Sequence, residues 1–231
     1  MTTANTCFST LRRDILSGHY APGERLPPER RLADEMGVGR VTLRSALTRL
    51  ASANLLEVRQ GSGYLVQDYR RAGGPDLLRD VVAIAAESGA FADVARDLLH
   101  VRRHLASAVL ERLRERPLSV DDRARLTRAV DAMEAAVGAD LETLIQRDLD
   151  ILAVLLDATG SPVLGLCINP ISSVLLALPE LGAAMYAKPM ENVLAWRALS
   201  GALSSTVPLD VPTWSALLEA RDEQTLQGVA T

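Results

Sequence analysis

Between Leu26 and Val66 the chain carries two short amphipathic segments joined at Gly37, then a glycine-tipped pair of short alternating runs. Few folds accommodate that order. In the first segment Leu32, Ala33 and Met36 recur at helical spacing, and in the second Leu43, Ala46, Leu47 and Leu50 do the same, so each helix has one apolar stripe to bury. A tight joint between two such helices is a helix-turn-helix. Leu56, Val58 and Leu65 alternate about Gly61-Ser62-Gly63, the pattern of a two-stranded wing with a flexible tip.

The second helix points to a function. With its leucines turned inward, the remaining face carries Arg40, Thr42, Arg44 and Ser45 near the N-terminus and Thr48 and Arg49 a turn later. Recognition helices place such residues in the major groove, where arginine pairs with guanine. Gly61 permits close backbone approach at the wing.

Pro22-Gly-Glu-Arg-Leu-Pro-Pro-Glu-Arg30, Gly37-Val-Gly-Arg-Val-Thr-Leu-Arg44 and Gln60-Gly-Ser-Gly63 together resemble the winged-helix domain of GntR-family transcription regulators. The resemblance implies that Arg30, Arg40, Arg44 and Gly61 touch operator DNA. Two positions depart from the family pattern. Gly39 stands where Ser or Thr is usual, so the recognition helix lacks a side-chain N-cap, at a cost of a few tenths of a kcal/mol. Asn54 replaces a glycine after that helix, a change that asparagine's tolerance of the left-handed conformation makes harmless.

The net charge of −4 argues against a nucleic-acid partner only if taken whole. Residues 1–68 hold nine Arg against seven acidic residues, and the remainder holds fifteen Arg and one Lys against twenty-two. The excess of base therefore lies with the motif. Cys7 and Cys167 show no metal-ligand spacing and read as packing thiols of a cytoplasmic protein. No apolar run approaches the length of about 20 residues needed for a membrane span.

A first helix is expected from about Thr6 to Ser17, and Pro22-Gly23 turns into a short strand before Pro28. Gln67 to Pro75 is polar with Gly73-Gly74-Pro75, which divides the chain into residues 1–67, a linker at 68–75 and a second domain at 76–231. The second domain reads as about seven helices: one over Leu77–Ile84, a long one ending before Pro117, one opened by Ser119, one capped by Asp140, one opened by Ser161-Pro162, and two beginning near Pro189 and Asp210. Pro170 should kink or interrupt the fifth. The fold class is thus mainly α, an N-terminal winged helix-turn-helix followed by an all-helical bundle, which the GntR resemblance implies is effector-binding.

Asp97-Leu-Leu-His-Val-Arg102, Asp148-Leu-Asp-Ile-Leu152 and Ala158-Thr-Gly-Ser-Pro-Val-Leu164 resemble the effector domain of the FadR subfamily of GntR regulators. Many such domains hold a divalent metal through an Asp, a His four residues later and two further His. This chain keeps Asp148 but has Leu152 at the His position and no histidine after His104, too few ligands for Zn²⁺. Asp97, His100 and His104 share a helical face, which is read as solvated. No metal and no cofactor is expected.

The missing histidines and the run Gly165-Leu-Cys-Ile-Asn169 resemble the fatty-acid-responsive FadR type. The implied effector is an apolar acid or its CoA thioester, with long-chain acyl-CoA the candidate and a small carboxylate metabolite the alternative. Arg102, Asp148, Leu152 and Trp196 are the effector-site candidates. The expected partners are operator DNA, a small-molecule effector and a second copy of the chain, acting together as a repressor. An enzyme of the aminotransferase-like GntR branch would need a Schiff-base lysine within a large catalytic domain, and the one lysine is Lys188. A winged helix used for protein contacts alone would not require arginines at groove-facing positions.

Overall fold

The computed structural model describes residues 3–229, and its chain divides into two compact units, one running through Ser88 and the other from Gly89. The first unit begins with α1 (Thr3–Leu16), α2 (Glu29–Met36) and α3 (Arg40–Ser52), followed by β1 (Leu56–Arg59) and β2 (Gly63–Val66). Leu11 of α1, Leu43, Leu47 and Leu50 of α3 and Leu55 are almost wholly enclosed and form the centre of its core.

The joint between α2 and α3 is made at Gly37. Its φ of +63° ends α2 in the left-handed conformation while its N–H closes on the last carbonyls of the helix. Asn54 performs the same turn after α3 with φ +56°, as expected of a side chain that tolerates that region. The strands pair antiparallel from Leu56 opposite Val66 to Arg59 opposite Gly63. The segment before α2 meets β2 at an isolated Arg25–Leu65 bridge, flanked by the Gly23 N–H donating to the Val66 carbonyl and the Leu26 N–H donating to the Tyr64 carbonyl, so the short strand expected there is reduced to that bridge.

The stretch expected to be a linker at 68–75 is structured. Asp68 caps the short helix α4 (Tyr69–Ala72) by accepting from the Arg70 N–H, and a 3-10 turn over Pro75–Leu77 buries Leu77 in the first core. The helix that follows, α5 (Leu78–Ser88), groups with the first unit rather than with the helices after it. Arg12 of α1 pairs with Asp80 and donates to the Asp76 carbonyl, Arg13 pairs with Glu87, and Ile84 packs on the core. These ion pairs between residues distant in sequence hold α5 to α1, and a local break in composition does not reveal them.

The second unit contains α6 (Phe91–Glu115), α7 (Val120–Ala135), α8 (Leu141–Thr159), α9 (Pro162–Ala177), α10 (Pro179–Met185), α11 (Pro189–Ser204) and α12 (Val211–Val229). Ser119 and Asp122 form the expected capping box, Asp140 accepts from the Thr143 N–H, and Ser161 accepts from the Leu164 N–H ahead of Pro162. Leu113, Leu126, Val130, Met133, Ile151 and Leu155 bring α6, α7 and α8 into one core.

Among the described residues eight α-helices follow Pro75, one more than expected. The addition is α10, a seven-residue helix opened by Pro179 and too short to display a period. Pro170 does not interrupt α9, which runs unbroken from Pro162 to Ala177. Ile168, Ile171 and Val174 are buried on either side of the proline.

Candidate functional sites

Burial of Leu43, Ala46, Leu47 and Leu50 fixes the rotation of α3 and so decides which residues it presents. Arg40, Val41, Arg44, Ser45 and Thr48 are exposed, whereas Thr42 is half-buried. Gly39 precedes the helix with extended backbone and no side-chain cap.

The arginines differ in their surroundings. Arg44 donates to Glu29 of α2 at 3.0 Å, and that hydrogen bond raises the guanidinium's pKa above its usual range. Arg49 turns toward α1, where it donates to Asn5 at 2.9 Å and lies 3.9 Å over the Phe8 ring. Among the described residues no ion pair is formed by Arg30 or Arg40, and both are exposed. Gly61 is at the exposed tip of the hairpin with φ +75°, a conformation that favours glycine.

In the second unit Arg102, Asp148, Leu152 and Trp196 all line one cavity of about 520 Å³. Its walls are otherwise mainly apolar, with Leu105, Leu149, Leu155, Ile168, Leu199 and Trp214 among them. The volume lies within the roughly 300–1,000 Å³ typical of small-molecule sites.

Asp148 accepts hydrogen bonds from the Trp196 indole N–H and the Tyr186 hydroxyl. Its remaining surface faces the cavity, yet protein encloses it closely enough that desolvation raises its pKa, against the lowering effect of those two bonds. Tyr186 is raised too, by burial first and then by the carboxylate. Leu152 lies one helical turn beyond Asp148 on α8, and no group of three or more His, Cys, Asp or Glu able to hold a metal occurs among the described residues. A single carboxylate already bonded by an indole and a phenol does not fit a divalent ion.

Arg102 is not free to meet a ligand unaided. It donates to Asp222 of α12 at 2.6 Å, and Asp222 is 4% exposed. Burial raises the Asp222 carboxyl while Arg102 opposes the shift. Arg102 Nε, Asp222 Oδ2 and Asn192 Oδ1 are enclosed without a hydrogen-bond partner within the protein, and all three residues line the cavity. Asp222 and Thr225 were absent from the sequence-based candidates. The signal was present, since Trp214, Leu218, Asp222 and Thr225 continue one helical stripe in which polar residues replace expected apolar ones.

The outer histidines are otherwise engaged. Arg103 meets the His100 ring at 3.2 Å, and His104 Nδ1 lies 2.9 Å from the His100 carbonyl. Cys7 is buried as expected of a packing thiol, but Cys167 is exposed, on a face of α9 it shares with Val163 and Leu166.

Residues 3–66 match the family described as bacterial regulatory proteins, gntR family, and residues 97–205 match the FCD domain. A fatty acid metabolism regulator protein of Salmonella paratyphi B is 30% identical over 182 residues, covering 78% of this chain and 71% of that protein. The chain belongs to the GntR family. An HTH-type transcriptional regulator of Mycobacterium tuberculosis, Mce2R, is 52% identical to this GntR protein over 71 residues, which are 31% of the chain and 30% of the relative. Lar, described as controlling the expression of the Listeria monocytogenes agr system, aligns over 100% of this chain and 97% of its own with a TM-score of 0.63. At 16% identity that likeness shows the fold alone. No helix is long and apolar enough to cross a membrane among the described residues.

Proposed function

We propose that this GntR protein is a cytoplasmic, homodimeric, ligand-responsive repressor that binds operator DNA through α3 and the wing and senses its effector in the helical unit. The observation that carries the reading is the pairing of two sites in one chain, an exposed basic helix face and a mainly apolar cavity lined also by Arg102 and Asp222. Arg40 and Arg44 read bases, Thr42 supports them at the edge of that face, Arg30 meets the phosphate backbone, and Gly61 brings the wing close to the duplex. A two-fold dimer on a pseudopalindrome supplies the second half-site.

The effector's apolar body lies along Leu152 and Leu155, and its polar end meets Arg102 and Asp222. Each buried methylene contributes about 0.8 kcal/mol, so a long chain reaches high affinity without a metal anchor. An apolar acid or its CoA thioester fits this description, and relatives named as fatty acid metabolism regulators support long-chain acyl-CoA. Binding regulates only if the effector's affinity differs between DNA-bound and free protein.

Titration of full-length protein against a fluorescent operator with acyl-CoAs of increasing length tests the reading. Release that grows with chain length is expected. A response to lactate or gluconate, or one independent of length, refutes the acyl effector. Operator affinity that does not fall with salt favours instead a winged helix used for protein contacts.

A further inference from the structure

Val41 is an anomaly on α3. It is 87% exposed, the most exposed large hydrophobic residue among those described, although the helix has a complete apolar stripe without it. At 100° per residue the stripe of Leu43, Ala46, Leu47 and Leu50 is centred almost opposite Val41. Val41 therefore projects further from the core than Arg40 does, with Arg44 three residues and Ser45 four residues later on the same side.

Nothing in the free protein rewards a valine there. It buries almost no surface, and a β-branched residue is a weaker helix former than most polar alternatives. Its neighbours already meet local polar groups, since Arg44 bonds Glu29 and Thr48 donates to the Arg44 carbonyl. An apolar side chain at the outermost point of a recognition helix has one complementary feature in the major groove. The C5-methyl of thymine is the apolar group displayed there, and no other standard base offers it.

We infer that Val41 packs on the C5-methyl of a thymine and makes the operator thymine-specific at one position per half-site, beside the base read by Arg40 or Arg44. This rests on α3 being the DNA-reading helix. Arginine contacts select guanine through hydrogen bonds, whereas Val41 selects by burying a methyl group, so the two contributions respond to different chemical changes in the DNA.

Operators selected from a random duplex pool by full-length protein provide the substrate. Each thymine is replaced singly by deoxyuridine, which keeps every hydrogen-bonding group and removes only the methyl. For wild type, one replacement per half-site should weaken binding about fourfold, the loss of one buried methyl. In Val41→Ala, which removes the contact from both half-sites, the affinity for the unmodified operator should fall about fifteenfold, and the same replacement should have little further effect. Binding to non-specific duplex at matched salt should be unchanged, because Val41 carries no charge and supports no core.

The inference is overturned if no thymine methyl matters to wild type. It is equally overturned if the methyl effect persists undiminished in Val41→Ala, since another residue then reads that position. Failure to select any specific duplex refutes the DNA-reading assignment of α3 itself, a distinct result.

Discussion

The arginines of α3 and the arginine of the helical unit's cavity sit in opposite electrostatic circumstances. Arg40 is exposed without an ion pair and Arg44 is 70% exposed in its side chain, whereas Arg102 is held against an almost fully buried Asp222. Water keeps the first pair charged at little cost until a polyanion displaces it. The second was desolvated on folding, and its partner compensates for part of that cost. One region presents exposed charge to an extended partner, and the other a mainly apolar wall with one paired arginine.

The contrast is most exposed to test where the cavity is filled. Leu152→Phe occupies space beside Asp148 and should abolish the effector response while leaving effector-free operator affinity unchanged. Fluorescence anisotropy with and without effector reads both, and a thermal melt checks the overpacking cost of about 1–3 kcal/mol. An intact response would separate the cavity from effector sensing.

A smaller effect is expected at the recognition helix. Arg40→Ala should weaken specific binding by about 1–3 kcal/mol, and Arg44→Ala should lie toward the lower end because Arg44 must first leave Glu29. Competition assays at fixed salt measure both. Equal affinity of both variants and wild type would remove α3 from the interface.

Arg49→Ala sharpens the same comparison by showing that not every arginine of α3 serves DNA. Its contact with Phe8 predicts a stability loss of about 0.5–1 kcal/mol. Urea titration should show that loss. Specific operator affinity, measured where both proteins are folded, should change less than in Arg40→Ala.

The smallest effect is a pH slope. Asp148 and Asp222 have folded pKa values raised by burial above the unfolded value of about 3.9, so the folded state binds more protons in the interval between. Their contribution to stability therefore falls as pH rises from about 3.9 through the folded values. Asp122 and Asp140 are lowered by capping bonds and act oppositely, losing stability as pH falls through their depressed values. Asp148→Asn should remove part of the unfavourable slope above about pH 3.9, as read from denaturant midpoints across pH. An unchanged slope would show that Asp148 does not carry it.

The alternation of apolar residues in α3 was enough to identify its buried face, because each of those leucines meets a core that helical period alone locates. The caps at Ser119, Asp140 and Ser161 were legible for a similar reason, since the bonds they make are local in sequence. Arg102, Asp148, Leu152 and Trp196 could be singled out as effector-site candidates through family resemblance, but their common cavity could not be drawn from spacing.

Long-range partners decided the rest. Glu29 holds Arg44 across fifteen residues, Asn5 and Phe8 turn Arg49 away from the exposed face, and Asp222 meets Arg102 from 120 residues along the chain. The sequence by itself determined the longer helices and the faces they bury, because period, caps and turn residues act within a few positions, whereas the short α4 and α10 left no period to read. Only the tertiary structure decided which charges remain exposed and which are paired, because that depends on side chains brought together by packing.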